Sequence, residues 1–465
     1  MKLKFKPRML AILVGVACCV SKSYADDLMQ VYQKAMAHNP EMVRNKVTRD
    51  KAIVKIGESR ADLLPELKAT VGYNHTVTDK DKYGTMPSES TTVAQAPAKL
   101  TLIQSLFNWR DWQQFSISKK DALKAEVKYQ ADVQSFINKT AELYFDVLTK
   151  QSKLEASKAS QRSLENQLQQ MKAKFKVGLV PVSSVHEAQA AYDESVSTVI
   201  TNENALLNSF EALRALTGVE HKDLAELDIE RFSPSTLSPE HVEDWVRMAE
   251  KSNLTLTQAR MAKETALQSI SLESAGHYPD LSLDGSYGRT KVRDGGDTTE
   301  KRVGVTLTIP IFDGLRTSSR VEQAQLDYLS ATEKLEQSHR EVVQKVRSGF
   351  YAVKAAISQL KAREQAVISA KSSLRATQAG LEVGTRTIVD MSDATKKLFN
   401  KESELAASRF QYIQAVLALR LASGQLTEAD LELVNRGLVR HDMPSSPPQP
   451  LSDEPVKTAE ESVSL

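Results

Sequence analysis

The chain has 465 residues but only two cysteines, Cys18 and Cys19, both within its first 25 positions. Lys2, Lys4, Lys6 and Arg8 precede a short apolar core, and Ser23-Tyr-Ala25 offers a small-residue cleavage site, the pattern of a secretory signal. Gly15 or Val16 stands where a lipid-accepting cysteine signal usually carries Leu, which weighs against a lipoprotein. Processing after Ala25 predicts a mature chain without disulfides in an oxidising compartment, stabilised by a large core or by assembly. Long apolar runs are missing too. The signal core is too short for a bilayer helix, which needs about 20 residues, and no longer run follows it. Any membrane insertion must therefore use strands.

Neither sign of charge dominates. Five of the 61 basic residues lie in the signal, leaving 56 against 59 acidic ones, interspersed at helical spacing. This is the pattern of solvated helix faces and argues against nucleic acid as a partner. The eight histidines form no metal-spaced cluster, and His186-Glu187 lacks the second His of HExxH. There is no P-loop, no GxGxxG after a strand and no Ser/His/Asp signature. No catalytic residue, metal site or cofactor is expected.

Glycine and proline are absent where their absence matters most. Trp109 to Val177 runs 69 residues with neither, and Leu315 to Val383 runs another 69 with no Pro and only Gly349 and Gly380. Each stretch predicts a helix of about 100 Å at about 1.5 Å per residue. Val343, Val346, Phe350, Val353, Ile357 and Leu360 step by three and four, as do Leu164, Leu168, Met171 and Phe175, the spacing of coiled coils. Each stretch ends at Val-Gly and returns as a second helix, Ser183 to Thr217 and Thr387 to Ser423.

These parallels belong to a duplication of about 206 residues. Leu100 to Asn108 returns as Val305 to Asp313, and Ala212-Leu-Arg-Ala-Leu-Thr-Gly218 as Ala418-Leu-Arg-Leu-Ala-Ser-Gly424. Upstream, Asn39 and Pro65 match Asn253 and Pro279 at an offset of 214, so the first copy has a longer insert between Pro65 and Phe107. The expected organisation is a signal peptide at 1–25, a first structural repeat at 26–235, a second at 236–430 and a disordered, Pro- and Ser-rich tail at 431–465. Between the short and long helices the pattern switches to period two. Leu67, Ala69, Val71 and Tyr73 alternate with polar residues. Leu100, Leu102 and Leu106 do so in a second strand near Pro97 to Phe107. Leu281, Leu283 and Tyr287, then Val303, Val305, Leu307 and Ile309, repeat this in the second copy. Strands about ten residues long with one apolar face fit a transmembrane barrel. Val77 to Ala96 and Arg293 to Thr299 are expected as surface loops. Tyr73, Tyr287, Trp109 and Trp112 read as interface aromatics or as packed core.

Four strands cannot close a barrel alone, and an open edge in lipid leaves backbone groups unpaired. The chain should therefore be an obligate oligomer: two copies would give eight strands and a filled lumen, three would give twelve and a pore. At this point a resemblance can be named. Leu28-Met-Gln-Val-Tyr32, Asn39-Pro-Glu41, Leu63-Leu-Pro65, Phe175-Lys-Val-Gly-Leu-Val180 and Val383-Gly-Thr-Arg-Thr-Ile-Val-Asp390 resemble the outer-membrane factor family. Its members are channels of tripartite efflux pumps and type I secretion. The likeness runs from about Asp27 to Gly424. It implies a mainly α, mixed α and β protein that forms a homotrimer. A twelve-stranded barrel in outer-membrane lipid continues into a coiled-coil periplasmic barrel. It also implies a periplasmic adaptor, an inner-membrane pump or ABC transporter, and a passive duct for drugs, detergents and secreted proteins.

The resemblance implies roles at the helical tips. Asp390 and Asp393 share one face at the start of a return helix. Taken locally, they serve the helix dipole and a capping box with Thr387. In the family such a pair lines the periplasmic constriction, where grouped carboxylates raise one another's pKa and attract cations. Arg386 is a solvated tip charge or, by resemblance, a gate lock. Val177, Gly178, Leu179, Val383, Gly384 and Thr385 are tight-turn residues that, by resemblance, also meet the adaptor. Ser184 and Leu381 depart from the family pattern, which has Asp and Tyr there, so part of the polar lock is missing or replaced. A periplasmic adaptor with one hairpin and a structural coiled-coil adhesin are the competing readings. Two hairpins and membrane-length strands count against both.

Overall fold

The computed structural model describes residues 25–80, 89–234, 237–293 and 295–439. Residues 1–24 of the signal expected at 1–25, and the chain beyond 439, lie outside the described residues. The first half runs α1 (Leu28–His38), α2 (Pro40–Ala61), β1 (Glu66–Val71), β2 (Asn74–Lys80), β3 (Glu89–Phe107), α3 (Trp109–Lys176) and α4 (Val182–Thr217). After a short β4 (Glu226–Leu227), the second half runs α5 (Val242–Ser252), α6 (Leu254–Ser274), β5 (Asp280–Val292), β6 (Thr298–Thr308), α7 (Arg316–Glu382) and α8 (Ile388–Ala422). α9 (Glu428–Asn435) and β7 (Leu438–Val439) follow, with β7 paired to β4.

The same joint is built in both halves. Asn39 ends α1 and caps α2, its side-chain oxygen accepting from the Glu41 and Met42 amides at 2.8 and 3.3 Å while its Nδ2 donates to Leu216 O at 2.9 Å. Asn253 does this between α5 and α6, accepting from Leu256 N at 3.0 Å and donating to Ala422 O at 2.8 Å. One side chain thus caps a short helix and fastens it to the end of a return helix. The return helices stop at Gly218 and Gly424, with φ of 69° and 73°. A Cβ on Gly424 would lie 2.5 Å from Ser252 O, so glycine alone fits that crossing.

The strands form one antiparallel sheet in the order β1/β2, β3, β5, β6. β1 and β2 both pair with β3 and are one strand interrupted at Gly72-Tyr73. The register sets Leu67, Leu102, Gly285 and Val303 in one row and Leu281 opposite Leu307. This apolar face is open, with Val71 and Val303 each 82% exposed. Lys68, Thr101, Ser286 and Arg302 form a row on the opposite, polar face, where Asp284 accepts from the Ser282 and Thr306 hydroxyls at 3.1 and 2.9 Å. Among the described residues no helix is long and apolar enough to cross a membrane. Tyr73, Tyr287, Trp109 and Trp112 are all exposed, which removes the packed-core alternative within the subunit.

Two expectations need correction. The second strand begins at Glu89, not near Pro97, and β2 continues to Lys80. Most of the loop expected at Val77 to Ala96 is therefore strand, and its centre, 81–88, lies outside the described residues. At about 3.4 Å per residue β3 spans about 65 Å, roughly twice the hydrocarbon thickness, so its polar upper half projects beyond the apolar band. The disordered tail expected from 431 does not begin there. α9 and β7 continue to Val439, and Leu431 is fully buried.

The core is a collar where the short helices wrap the middle of α3 and α7. Phe145 stacks on Phe410 at 5.7 Å and meets Tyr144 edge-on at 5.5 Å. Tyr144 Oη donates to Ala225 O at 2.7 Å. Beside it, Asp26 accepts from Lys34 Nζ at 2.6 and 2.8 Å and lies 2.7 Å from Nδ1 of buried His221. Burial raises the Asp26 pKa, but the His221 and Lys34 bonds outweigh it and hold the carboxyl below the usual range. A lowered carboxyl pKa stabilises the fold above the ordinary value and loses that contribution as pH falls through the lowered one.

Phe145→Ala is expected to cost about 3–5 kcal/mol of unfolding free energy in chemical denaturation; a loss under about 1 kcal/mol would show that the collar is not the stabilising core. Asp26→Asn should lower stability at neutral pH and flatten its decline in acid. An unchanged acid limb would rule out this carboxylate as its source.

Candidate functional site at the helical tips

The hairpins α3–α4 and α7–α8 end together. Leu168 and Met171 of α3, Ala188 of α4 and Ile388 of α8 are buried against one another, with Leu381 packed alongside. At the first tip Gly178 takes φ 76°, and its amide and that of Leu179 each bond at 2.9 Å to Phe175 O and Lys174 O. At the second tip Gly384 takes φ 77°. Nothing lies within 4 Å of a Cβ built on either glycine, so the left-handed backbone, not crowding, selects glycine there. Val177, Leu179 and Val383 are 69, 73 and 75% exposed, so apolar side chains are held in water at both tips. Thr385 is exposed beside them.

Asp390 is the third residue of α8 and closes a capping box. The Thr387 amide and hydroxyl donate to its carboxylate at 2.9 and 3.0 Å, and its own amide donates to Thr387 Oγ1 at 3.2 Å. The Thr387 amide first, then the hydroxyl and the Arg386 charge, hold the Asp390 carboxyl below the usual range. Within one subunit the direction is thus downward. Asp393 follows one turn along α8, exposed to solvent. Ser184 sits in the first turn of α4, whose start at Pro181 has no side-chain cap. Leu381 joins the apolar cluster in place of a polar contact.

Gly380 gives the second tip a feature that the first lacks. Its carbonyl accepts from the Thr385 amide at 2.8 Å, the Arg386 amide at 3.2 Å and the Thr385 hydroxyl at 3.1 Å. A Cβ on Gly380 would fall 2.7 Å from Arg386 Cγ, so the arginine stem lies across the bare glycine. The corresponding position of the first repeat is Lys174. Sequence reasoning noted Gly380 only as an interruption. Its position four residues before the tip glycine was the available signal.

A sheet with one open apolar face and two edges unpaired among the described residues, carried on hairpins about 100 Å long, defines a class: a subunit of an outer-membrane channel. The chain belongs to the outer membrane efflux protein family, matching it over residues 31–219 and 245–425, one segment in each half of the duplication. It is 38% identical over 440 residues to the outer membrane protein TolC of Vibrio cholerae, covering 93% of this chain and 98% of that protein. To TolC of Escherichia coli K12 it is 39% identical over 447 residues, covering 93% and 89%. Its fold is similar to the solved Campylobacter jejuni CmeC outer membrane channel, with a TM-score of 0.74 at 17% identity over 89% of this chain and 90% of that one. The protein is an outer-membrane efflux and secretion channel, not an enzyme, and the adaptor and adhesin readings fall away.

Gly380→Ala is expected to displace the Arg386 stem and change the resting conductance in planar bilayers as Arg386→Ala does. The two together should add little, and Lys174→Ala should change nothing. Additive effects of Gly380→Ala and Arg386→Ala would mean that the glycine does not position the arginine.

Proposed function

We propose that three copies pair β6 of each with β1/β2 of the next, closing twelve strands whose apolar face meets lipid and whose polar face lines the pore. The observation that carries this reading is the pair of edge strands, unpartnered among the described residues, on a sheet with an open apolar face. Residues 26–235 and 236–430 act as the two repeats. The helical hairpins continue the barrel as a periplasmic tunnel. Its far end is narrowed by a ring of Asp390 and Asp393 from each copy and held shut with the help of Arg386. The exposed apolar tips Val177, Gly178, Leu179 and Val383, Gly384, Thr385 suit contact with the hairpin of a periplasmic adaptor. Through it an inner-membrane pump or ABC transporter would drive opening. Drugs, detergents and secreted proteins would then leave passively.

The electrostatics support the ring. Asp390 is ionised because its cap holds the carboxyl low, and Asp393 adds a second carboxyl one turn along, so every copy would bring two acids to the constriction. In planar bilayers the protein is expected to give a small, cation-selective conductance blocked by a multivalent cation added on the tip side. Asp390→Ala/Asp393→Ala should abolish that block, and Arg386→Glu should enlarge the conductance. Block that survives the double substitution would remove the ring. A large conductance in the unmodified protein would mean that the tip rests open.

A further inference from the structure

The open apolar face of the sheet ends differently at its two ends. At the helical end its last row is apolar, with Phe107, Leu281 and Leu307 paired across β3, β5 and β6. Beyond Leu281 the positions of β5 on this face are Leu283, Gly285 and Tyr287. The face therefore stays apolar for ~20 Å, close to the roughly 25 Å lipid-facing band of membrane barrels. Then it turns basic. Tyr287 lies opposite Lys301 of β6, whose Nζ sits 5.9 Å from the centre of the tyrosine ring. The next two positions of β5 on the face are Arg289 and Lys291, both exposed. Their paired neighbours on this face, Leu100, Ala98, Ala96 and Thr299, carry no charge. Arg289 donates to Asp297 through Nη2 at 2.8 Å, which leaves its other guanidinium donors for a second acceptor. Lys291 has no carboxylate partner among the described residues.

Height on the sheet decides what such a patch meets. A tyrosine at the edge of an apolar band marks the level where hydrocarbon gives way to headgroups. The ammonium of Lys301 is attracted to that ring and so is held at the same level. Three cations stacked over an apolar face fit an anion that carries its own acyl chains, and guanidinium and ammonium groups are matched to phosphate. We infer that Lys301, Arg289 and Lys291 bind the phosphate-bearing glycolipid of the outer leaflet, lipid A, with one molecule on each subunit. Its acyl chains lie on the face around Leu283, Leu100 and Val303, and its phosphates meet the three cations. Ala96 and Ala98, beside Lys291 and Arg289, leave room for the sugars. The inference rests on the barrel reading above, which turns this face to lipid. It adds a direction: the helical end of the face offers no such patch, so the sheet distinguishes one leaflet from the other.

The test counts bound lipid. The full-length protein, purified in detergent and freed of lipid, is titrated with lipid A, and the intact assembly is weighed by native mass spectrometry. Up to three molecules should bind to three chains. Dephosphorylated lipid A, with the same acyl chains, should bind about a hundredfold more weakly, since three cations lose their partners. Arg289→Gln/Lys291→Gln/Lys301→Gln should lose a similar factor for intact lipid A, and the two changes together should add little to either. Lys99→Gln, between the Tyr287 and Arg289 levels but on the opposite face, should change nothing. Inorganic phosphate at the same concentration should not displace the lipid. Equal binding of the two lipids to a three-chain assembly that conducts in planar bilayers would overturn the site and leave the barrel standing. Undiminished binding by the triple variant would do the same. Displacement by inorganic phosphate would make this a site for the free anion and overturn the lipid. A protein that stays a single chain and gives no conductance would overturn the barrel and the site with it.

Discussion

Everything in this molecule depends on what a strand edge requires in hydrocarbon. The row of N–H and C=O groups along β6, and the one along β1/β2, has no partner within the described chain. In water such an edge invites aggregation; in a bilayer each unpaired group costs several kcal/mol. Only closure removes that cost, and four strands cannot close on themselves. The subunit is therefore incomplete by construction. Its open apolar face and open edges are two sides of one requirement: lipid on the outside and copies of the same sheet on either side.

The barrel then imposes its symmetry on what lies beneath it. β3 passes into α3 at Asn108, whose side chain caps the helix through the Arg110 and Asp111 amides at 3.0 and 3.3 Å. β6 passes into α7 through Gly314 and Leu315, both left-handed, with Asp313 receiving the Thr317 amide at 2.9 Å. Two long helices leave the sheet on rigid joints, and Asn39 and Asn253 pin the ends of their return arms at Leu216 and Ala422. The collar around Tyr144, Phe145 and Phe410 is the fixed point, and the distal hairpins are free to differ in position only beyond it. The tips, where the gate is proposed, lie far from the collar, in segments held by small apolar clusters.

Much of this was legible in the sequence because it is written in strong, local signals. Runs without glycine or proline gave the long helices, and the observed ends of α3 and α7 differ from the expected ones by a single residue. Leu315 was expected to open the second helix, but its left-handed backbone places it just outside. The return of Leu100 to Asn108 as Val305 to Asp313 disclosed the duplication, and alternation at Leu281 to Ile309 gave the strand faces. The rest escaped for physical reasons. The upper half of β3, Glu89 to Ala96, carries polar and small residues without an apolar alternation, so only its pairing with β2 and β5 makes it strand. α9 was lost into the expected tail because its burial depends on the distant collar. The capping box at Thr387 and Asp390 was readable. A ring of such carboxyls depends on other copies of the chain, which one sequence brings to mind only through its family.

The measurement that bears most directly on this account is the mass of the folded protein released intact from detergent. Closure between subunits predicts a single species of three chains that resists dilution, because no chain can satisfy its own sheet edges. A monodisperse single chain that retains its strands and still inserts into bilayers would contradict it, since four strands would then be stable in lipid without partners.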